Sequence, residues 1–140
     1  MDHLVRHLLL AAMVLASPCA DAAAGAPPRP VLVPGSHACG GIGDEERAAM
    51  DLSRDLYDLR LSFAESGTGA YVTGVFVMID GVGGAPSFGP FPDCGPLLHV
   101  ALPPGNYRVQ ARYAGITRAQ MFRVRRGPTL GALYWPAQPD

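Results

Sequence analysis

Lysine is absent from this chain of 140 residues, and all eleven of its basic side chains are arginines. Twelve acidic residues oppose them, so the formal net charge is −1 at pH 7. Nucleic-acid-binding domains usually carry a marked basic excess, which this chain lacks overall. We therefore predict no nucleic-acid partner.

Long hydrophobic runs are also absent after the amino terminus. Residues 1–22 have the three parts of a secretory signal peptide: a short start containing Arg6, an apolar core at residues 8–16, and small residues ending at Ala22. That core is too short to cross a bilayer as a helix, which takes about 20 residues. We predict a periplasmic or secreted bacterial protein, cleaved near Ala22 and without a transmembrane segment in the mature chain.

Cysteine is scarce, with three in the chain. Cys19 lies in the predicted signal peptide and leaves with it, because the residues before it do not fit a lipoprotein signal. Cys39 and Cys94 then remain in the mature chain. Two thiols in an oxidising compartment usually form a disulfide. The alternative is free or metal-binding thiols joined by His37 and His99, but the spacing matches no metal-site pattern. We predict the disulfide, no metal and no cofactor.

The mature chain divides into a leader, one domain and a short tail. Residues 23–38 are rich in Pro, Ala and Gly and have no apolar period, which predicts a flexible leader. The domain spans residues 39–136, and residues 137–140 form the tail. A helix is predicted over residues 44–56, because acids occupy its first turn and four apolar residues recur at helical spacing. These are Ala48, Ala49, Leu52 and Leu56, which we expect on its buried side.

Alternating apolar and polar residues predict strands through the rest of the domain. The ranges are residues 57–64, 71–79, 97–102, 107–114, 116–125 and 129–135. Residues 81–95, rich in Gly and Pro and carrying Phe88 and Phe91, are expected to form a long loop. The pattern over residues 98–113, with a turn at residues 102–106, predicts a β-hairpin. The fold class is therefore mainly β: an antiparallel β-sandwich of about six to seven strands with one N-terminal helix.

Several short motifs resemble a known family. The sequence LPPGNYRV at residues 102–109 resembles the carboxypeptidase regulatory-like domain. GGIG at 40–43, LSFA at 61–64, GAYVTGV at 69–75 and YWP at 134–136 resemble small exported proteobacterial proteins that contain this domain. The resemblance covers residues 39–136 and implies a transthyretin-like (prealbumin-like) or Ig-like sandwich. It also implies a non-catalytic module that supports folding, adhesion or ligand contact, although residues 80–95 depart from the family's short turn.

Catalytic signals are weak. GGIG precedes a helix, but three acids follow it and no Gly-Lys-Ser/Thr ending is present, so nucleotide binding is not predicted. His37 and His99 are the imidazoles of the mature chain. His99 alternates with Leu98 and Val100, and we expect it on a solvated sheet surface. The alternative function is a small periplasmic hydrolase with an unrecognised site near His99.

The charges are separated along the chain. Residues 44–65 have an acidic excess, whereas residues 108–126 contain six arginines and no acid. Such arginines can hold carboxylates or phosphates; the alternative is a solvated sheet face that the acidic helix partly neutralises. We predict a non-enzymatic module that binds or organises a cell-envelope partner, either an anionic component or a protein; a purely structural subunit is the other alternative. The candidate partner-binding residues are Arg108, Arg112, Arg123, Arg125, Phe88 and Phe91.

Overall fold

Eight β-strands and one short helix form residues 30–139, which together with residue 28 are the part described by this computed structural model. The predicted signal peptide lies outside the described residues. A 3-10 turn, Arg54–Leu56, follows the helix directly. The elements are β1 (His37–Gly40), α1 (Asp44–Ser53), β2 (Leu59–Glu65), β3 (Val75–Val82), β4 (Phe88–Cys94), β5 (Leu97–Val100), β6 (Gly105–Tyr113), β7 (Ile116–Val124) and β8 (Thr129–Trp135).

The strands form two four-stranded sheets. One has the order β1-β5-β2-β8 and is called the helix-side sheet; the other has the order β4-β3-β6-β7 and is called the arginine-side sheet. All neighbouring strands are antiparallel except β2 and β8, which are parallel. The mainly β, sandwich-like architecture with one helix is thus confirmed, with one or two strands more than expected.

The core lies between the two sheets, where alternate residues of each strand point inward. β2 contributes Leu59, Leu61 and Phe63, all at most 1% exposed, and the other central strands show the same alternation. Trp135, from β8, is fully buried and its Nε1 donates a 2.9 Å hydrogen bond to the carbonyl oxygen of Ile116. This bond satisfies a buried donor and fastens the last strand of one sheet to the first residue of β7 in the other.

The hairpin predicted over residues 98–113 is wrong. β5 pairs with β1 and β2, whereas β6 pairs with β3 and β7, so residues 101–104 carry the chain from one sheet to the other. Two hydrogen bonds fix this crossing: the Tyr107 hydroxyl donates to the Pro103 carbonyl at 2.6 Å, and the Leu102 amide donates to Asp58 Oδ2 at 2.9 Å. A strand–turn–strand pattern has the same alternation whether or not its two strands pair.

The long loop predicted over residues 81–95 is also wrong, because β4 occupies its second half. β4 is an edge strand with a register irregular against β3, and such strands tolerate Pro90 and Pro92. Phe91 points inward opposite Val77. The preceding strand also starts later and ends later than predicted, at Val75–Val82.

The predicted helix is present, but its buried side was predicted wrongly. Ala48 and Ala49 are exposed and Leu52 is 91% exposed, while Met50 is the buried residue of α1. Among the strands, the helix contacts mainly the edge strand β1, and most of its residues are exposed.

The predicted disulfide between Cys39 and Cys94 is confirmed, with the two Cα atoms 5.1 Å apart. Cys39 lies in β1, an edge strand of the helix-side sheet, and Cys94 ends β4, an edge strand of the arginine-side sheet. The bridge therefore joins the two sheets along one side of the sandwich. β1 begins at His37, inside the segment expected to be a leader.

Candidate functional site

The β6–β7 hairpin carries most of the predicted arginine site. Its turn places Ala114 and Gly115 at φ of 48° and 76°, as a tight two-residue hairpin turn requires. The register sets Arg108 opposite Met121 and Arg123 opposite Asn106. Arg108 and Arg123 are therefore diagonal neighbours on the outer face, a position in which Cα atoms are about 7–8 Å apart. Both are exposed.

The strongest concentration of arginines is at the end of this hairpin away from its turn. Arg123, Arg125 and Arg126 line an open depression of about 590 Å³ beside Pro104 and the first residues of β6. We call Arg108, Arg123, Arg125 and Arg126 the arginine end. Arg126 was not among the predicted site residues, although the pair of adjacent arginines after β7 is a sequence signal that could have indicated it.

Arg112 does not belong to the arginine end. It lies four residues further along β6 than Arg108, about 13 Å away at the rise of a β-strand. Its guanidinium is 5.2 Å from the ring centroid of Phe76, a cation–π contact on the sheet surface. The four predicted arginines are thus divided into a group of three and a separate Arg112.

Ion pairing distinguishes the two sides of the molecule. Among the described residues, the ion pairs join Arg47, Arg54 and Arg60 to acids of the helix region, and none involves the six arginines of residues 108–126. Within the described residues, the acidic helix thus forms no ion pair with the arginines of residues 108–126. Asp80 pairs with Arg108 in the strand register, but its Oδ2 accepts a 2.8 Å hydrogen bond from Gln110.

The two candidate phenylalanines pack against the protein itself. Phe91 is 4% exposed in the core, with its ring 4.6 Å from that of His37. Phe88 is half-buried against the core, 6.4 Å from the ring of Tyr107. Neither presents an open aromatic surface, so the site is built from arginines.

His99 is not on a solvated surface, contrary to expectation. It points to the outer face of the helix-side sheet, between Ala38 and Arg60 in the register, and is 6% exposed. Its Nδ1 is buried without a hydrogen-bond partner in the described residues. Burial lowers the pKa of His99, and the charge of Arg60 lowers it further, against a smaller opposite effect of Asp51. The imidazole is therefore neutral at pH 7.

A groove of about 360 Å³ separates the helix from this face of the sheet, and His99 lines it. The helix region contributes Arg47, Asp51 and Arg54, and the sheet contributes Arg60 and Ser62 among other residues. No nucleophile hydrogen-bonds to Nδ1 of the imidazole within residues 30–139. The described chain also contains no group of three or more His, Cys, Asp or Glu side chains suited to a metal ion.

The fold and the site define a disulfide-bridged, sandwich-like β domain whose arginine end forms no ion pair among the described residues. No protein-family model matches the chain, and no curated protein is significantly similar to it. In the part of the chain that the structure describes, α1 is too short to span a bilayer.

Proposed function

We propose that this protein is a non-enzymatic module, exported to the periplasm or secreted, that binds an anionic cell-envelope component through its arginine end. The observation that carries the proposal is the exposure of these arginines without ion-pair partners in the described residues, while the helix-side arginines are paired. Exposed guanidinium groups that form no ion pair within the protein have their donors available for an anion.

The chemistry of arginine suits phosphates and carboxylates. A guanidinium presents its N–H donors in a planar fork that can bind either group through two parallel hydrogen bonds. The depression lined by Arg123, Arg125 and Arg126 is open, which suits a charged glycan chain or lipid headgroup better than an enclosed small molecule. Phosphates of lipopolysaccharide and carboxylates of peptidoglycan are the envelope groups with this chemistry.

Export is supported by two independent features. Residues 1–22 have the pattern of a signal peptide. Cys39 and Cys94 form a disulfide, and such bonds persist in oxidising compartments. The partner would then be met outside the inner membrane, where anionic glycans and lipids are abundant.

Assignment to the transthyretin-like, carboxypeptidase regulatory-like family forms part of the proposal. The two-sheet architecture and the LPPGNYRV motif support it. In this chain the motif forms the crossing between the sheets, and Tyr107 of the motif is buried there with its hydroxyl bonded to Pro103. The motif therefore has a structural role, and no catalytic residue comes with it.

The proposal is tested by comparing Arg123→Glu with Arg112→Glu, two identical charge changes on exposed positions of the same hairpin. Binding to purified lipopolysaccharide and to peptidoglycan sacculi is measured by co-sedimentation, with uncharged dextran as the control polymer. Because a charge-assisted hydrogen bond contributes about 1.5–3 kcal/mol, Arg123→Glu should weaken binding about tenfold or more. Arg112→Glu should change it by less than about threefold, since its effect is only long-range and screened.

Two results would contradict the proposal. Equal weakening by both variants would mean that binding follows net charge and not the arginine end. Binding of the wild type to sacculi and lipopolysaccharide no stronger than to dextran would remove the function altogether. Circular dichroism of each variant checks that the fold is unchanged.

A small hydrolase built around His99 is the second candidate. A neutral imidazole in a groove with Ser62 favours it, since a general base must be unprotonated. The missing hydrogen bond between a nucleophile and Nδ1 within the described residues disfavours it. A screen with ester and amide substrates tests it: activity abolished by His99→Ala would support the hydrolase, and activity unaffected by that change would exclude it.

A further inference from the structure

His99 lines the groove under α1 and carries a buried polar atom for which the described protein supplies no partner. His99 is more than nine-tenths buried, and its Nδ1 has no hydrogen bond within the described residues. A buried polar atom left unpaired lowers stability by about 1–3 kcal/mol, so such atoms are usually satisfied by water or by a ligand. The groove beside it is large enough to hold a small molecule.

Arg60 adds unused donors next to this histidine. It is the strand neighbour of His99 on the same outer face, and its side chain is 14% exposed. Its Nε donates to the Tyr57 carbonyl at 3.3 Å and its Nη2 to Asp55 Oδ1 at 3.3 Å. Both bonds are long, and Nη1 has no hydrogen bond within the described residues. A carboxylate at this point could accept bonds from Arg60 and from an imidazole N–H.

Charge limits the ligand to a single negative group. Arg47, Arg54 and Arg60 are each paired with an aspartate of the helix region, so the groove has no large positive excess. Asp51 itself lines the groove and would repel a second negative charge. A polyanion of the kind proposed for the arginine end is therefore disfavoured here.

Apart from Ser62, the other residues that line the groove carry no polar side chain. Leu97 in β5 and Leu130 in β8 line the groove on either side of β2. Leu130 is 72% exposed although it is a large hydrophobic residue. Two leucines beside a basic pair present separate surfaces to the two ends of an amphipathic molecule. We propose that the groove binds a small monocarboxylate with an apolar tail, with the carboxylate at Arg60 and His99 and the tail against Leu97 and Leu130. This site is independent of the arginine end.

The test uses hexanoate as the probe and hexanol as its matched uncharged control, both titrated into the isotope-labelled mature protein. Two-dimensional NMR of the imidazole nitrogens reports directly on His99. Hexanoate should shift the His99 signals in a saturable manner. Its dissociation constant should be at least about tenfold lower than that of hexanol, because only the carboxylate forms charge-assisted hydrogen bonds. Arg60→Gln should weaken hexanoate binding about tenfold or more and leave hexanol binding nearly unchanged.

A second pair of variants protects the test against misfolding of Arg60→Gln. Leu130→Glu places a negative charge at an exposed position on the groove and should weaken the binding of hexanoate about tenfold. Leu130→Gln introduces an uncharged side chain of similar size and should weaken this binding less. Arg123→Glu on the opposite sheet should have no effect. The proposal is overturned if hexanoate and hexanol shift His99 alike, if Leu130→Glu and Leu130→Gln behave alike, or if hexanoate shifts only residues of the arginine end.

Discussion

Removing the Cys39–Cys94 disulfide should destabilise the fold strongly without changing it. The bridge spans 55 residues of sequence and joins two edge strands that belong to different sheets. In the chain-entropy description, a cross-link that closes a loop of this length reduces the conformational entropy of the unfolded chain, which raises its free energy by about 4 kcal/mol. For a domain of this size that free energy corresponds to a fall of roughly 15 °C in Tm. It is a large part of the stability of a typical domain, about 5–15 kcal/mol.

The assay compares three forms by urea unfolding: the oxidised protein, the reduced protein, and the double variant Cys39→Ala, Cys94→Ala. Alanine is preferred to serine because Cys94 is 1% exposed and a hydroxyl there would be buried. The reduced protein keeps both sulfur atoms, so its difference from the oxidised form isolates the cross-link. Its difference from the double variant isolates the space that the sulfur atoms fill.

Hydrogen exchange then locates the effect. β1 has four residues and β5 as its neighbouring strand, so its amides should lose the most protection when the bridge is cut. A loss of less than about 1 kcal/mol on reduction, with β1 still protected, would refute the reasoning. It would mean that the unfolded chain is already compact enough to hold the two cysteines together.

Three further changes have expected outcomes in the same urea assay. Gly131→Ala should destabilise by about 1–3 kcal/mol, because its Cβ would lie 2.5 Å from Cζ of Phe122 in the opposing sheet; an unchanged midpoint would contradict this packing. Tyr107→Phe should lower the free energy of unfolding by about 1–3 kcal/mol, since the Pro103 carbonyl loses its 2.6 Å hydrogen bond; a loss near zero would show that water replaces the hydroxyl. Because burial holds the pKa of His99 below its ordinary value of 6.5, the unfolded chain binds more protons than the native one near that pH. Stability should therefore fall as the pH drops from 7 through 6.5 and level off below the native pKa; an identical pH dependence in His99→Leu would contradict the assignment.

The sequence predicts strands well where alternation is uninterrupted. β2 and β6 alternate apolar and polar residues, and the structure buries the apolar side of each. β4 was missed because Gly89, Pro90 and Pro92 are disfavoured in strands. They are tolerated at the edge of a sheet, but the position of a strand within its sheet depends on the tertiary structure. Strand pairing was missed at residues 98–113 for the same kind of reason, since local alternation carries no information about the partner strand.

The candidate site was predicted in part. Alternation in β6 and β7 is consistent with a shared outer face for Arg108 and Arg123, and the register makes them diagonal neighbours there. Arg112 was grouped with them because a shared face does not measure distance along a strand. His99 was assigned to solvent because alternation in β5 places it on the outer face, and the neighbouring residues of β5 do not record that Tyr57 and the helix region lie beside that face.

The parallel pairing of β2 with β8 makes the order of synthesis matter. β2 is the first strand after the helix and β8 is the last strand of the domain, yet they lie side by side in register from end to end. Until β8 arrives, Leu61 and Phe63 have no neighbour on that side, and Trp135 is missing from the interior. Contacts so distant in sequence form late and slowly. A chain still being synthesised therefore cannot complete this sheet until β8 is available.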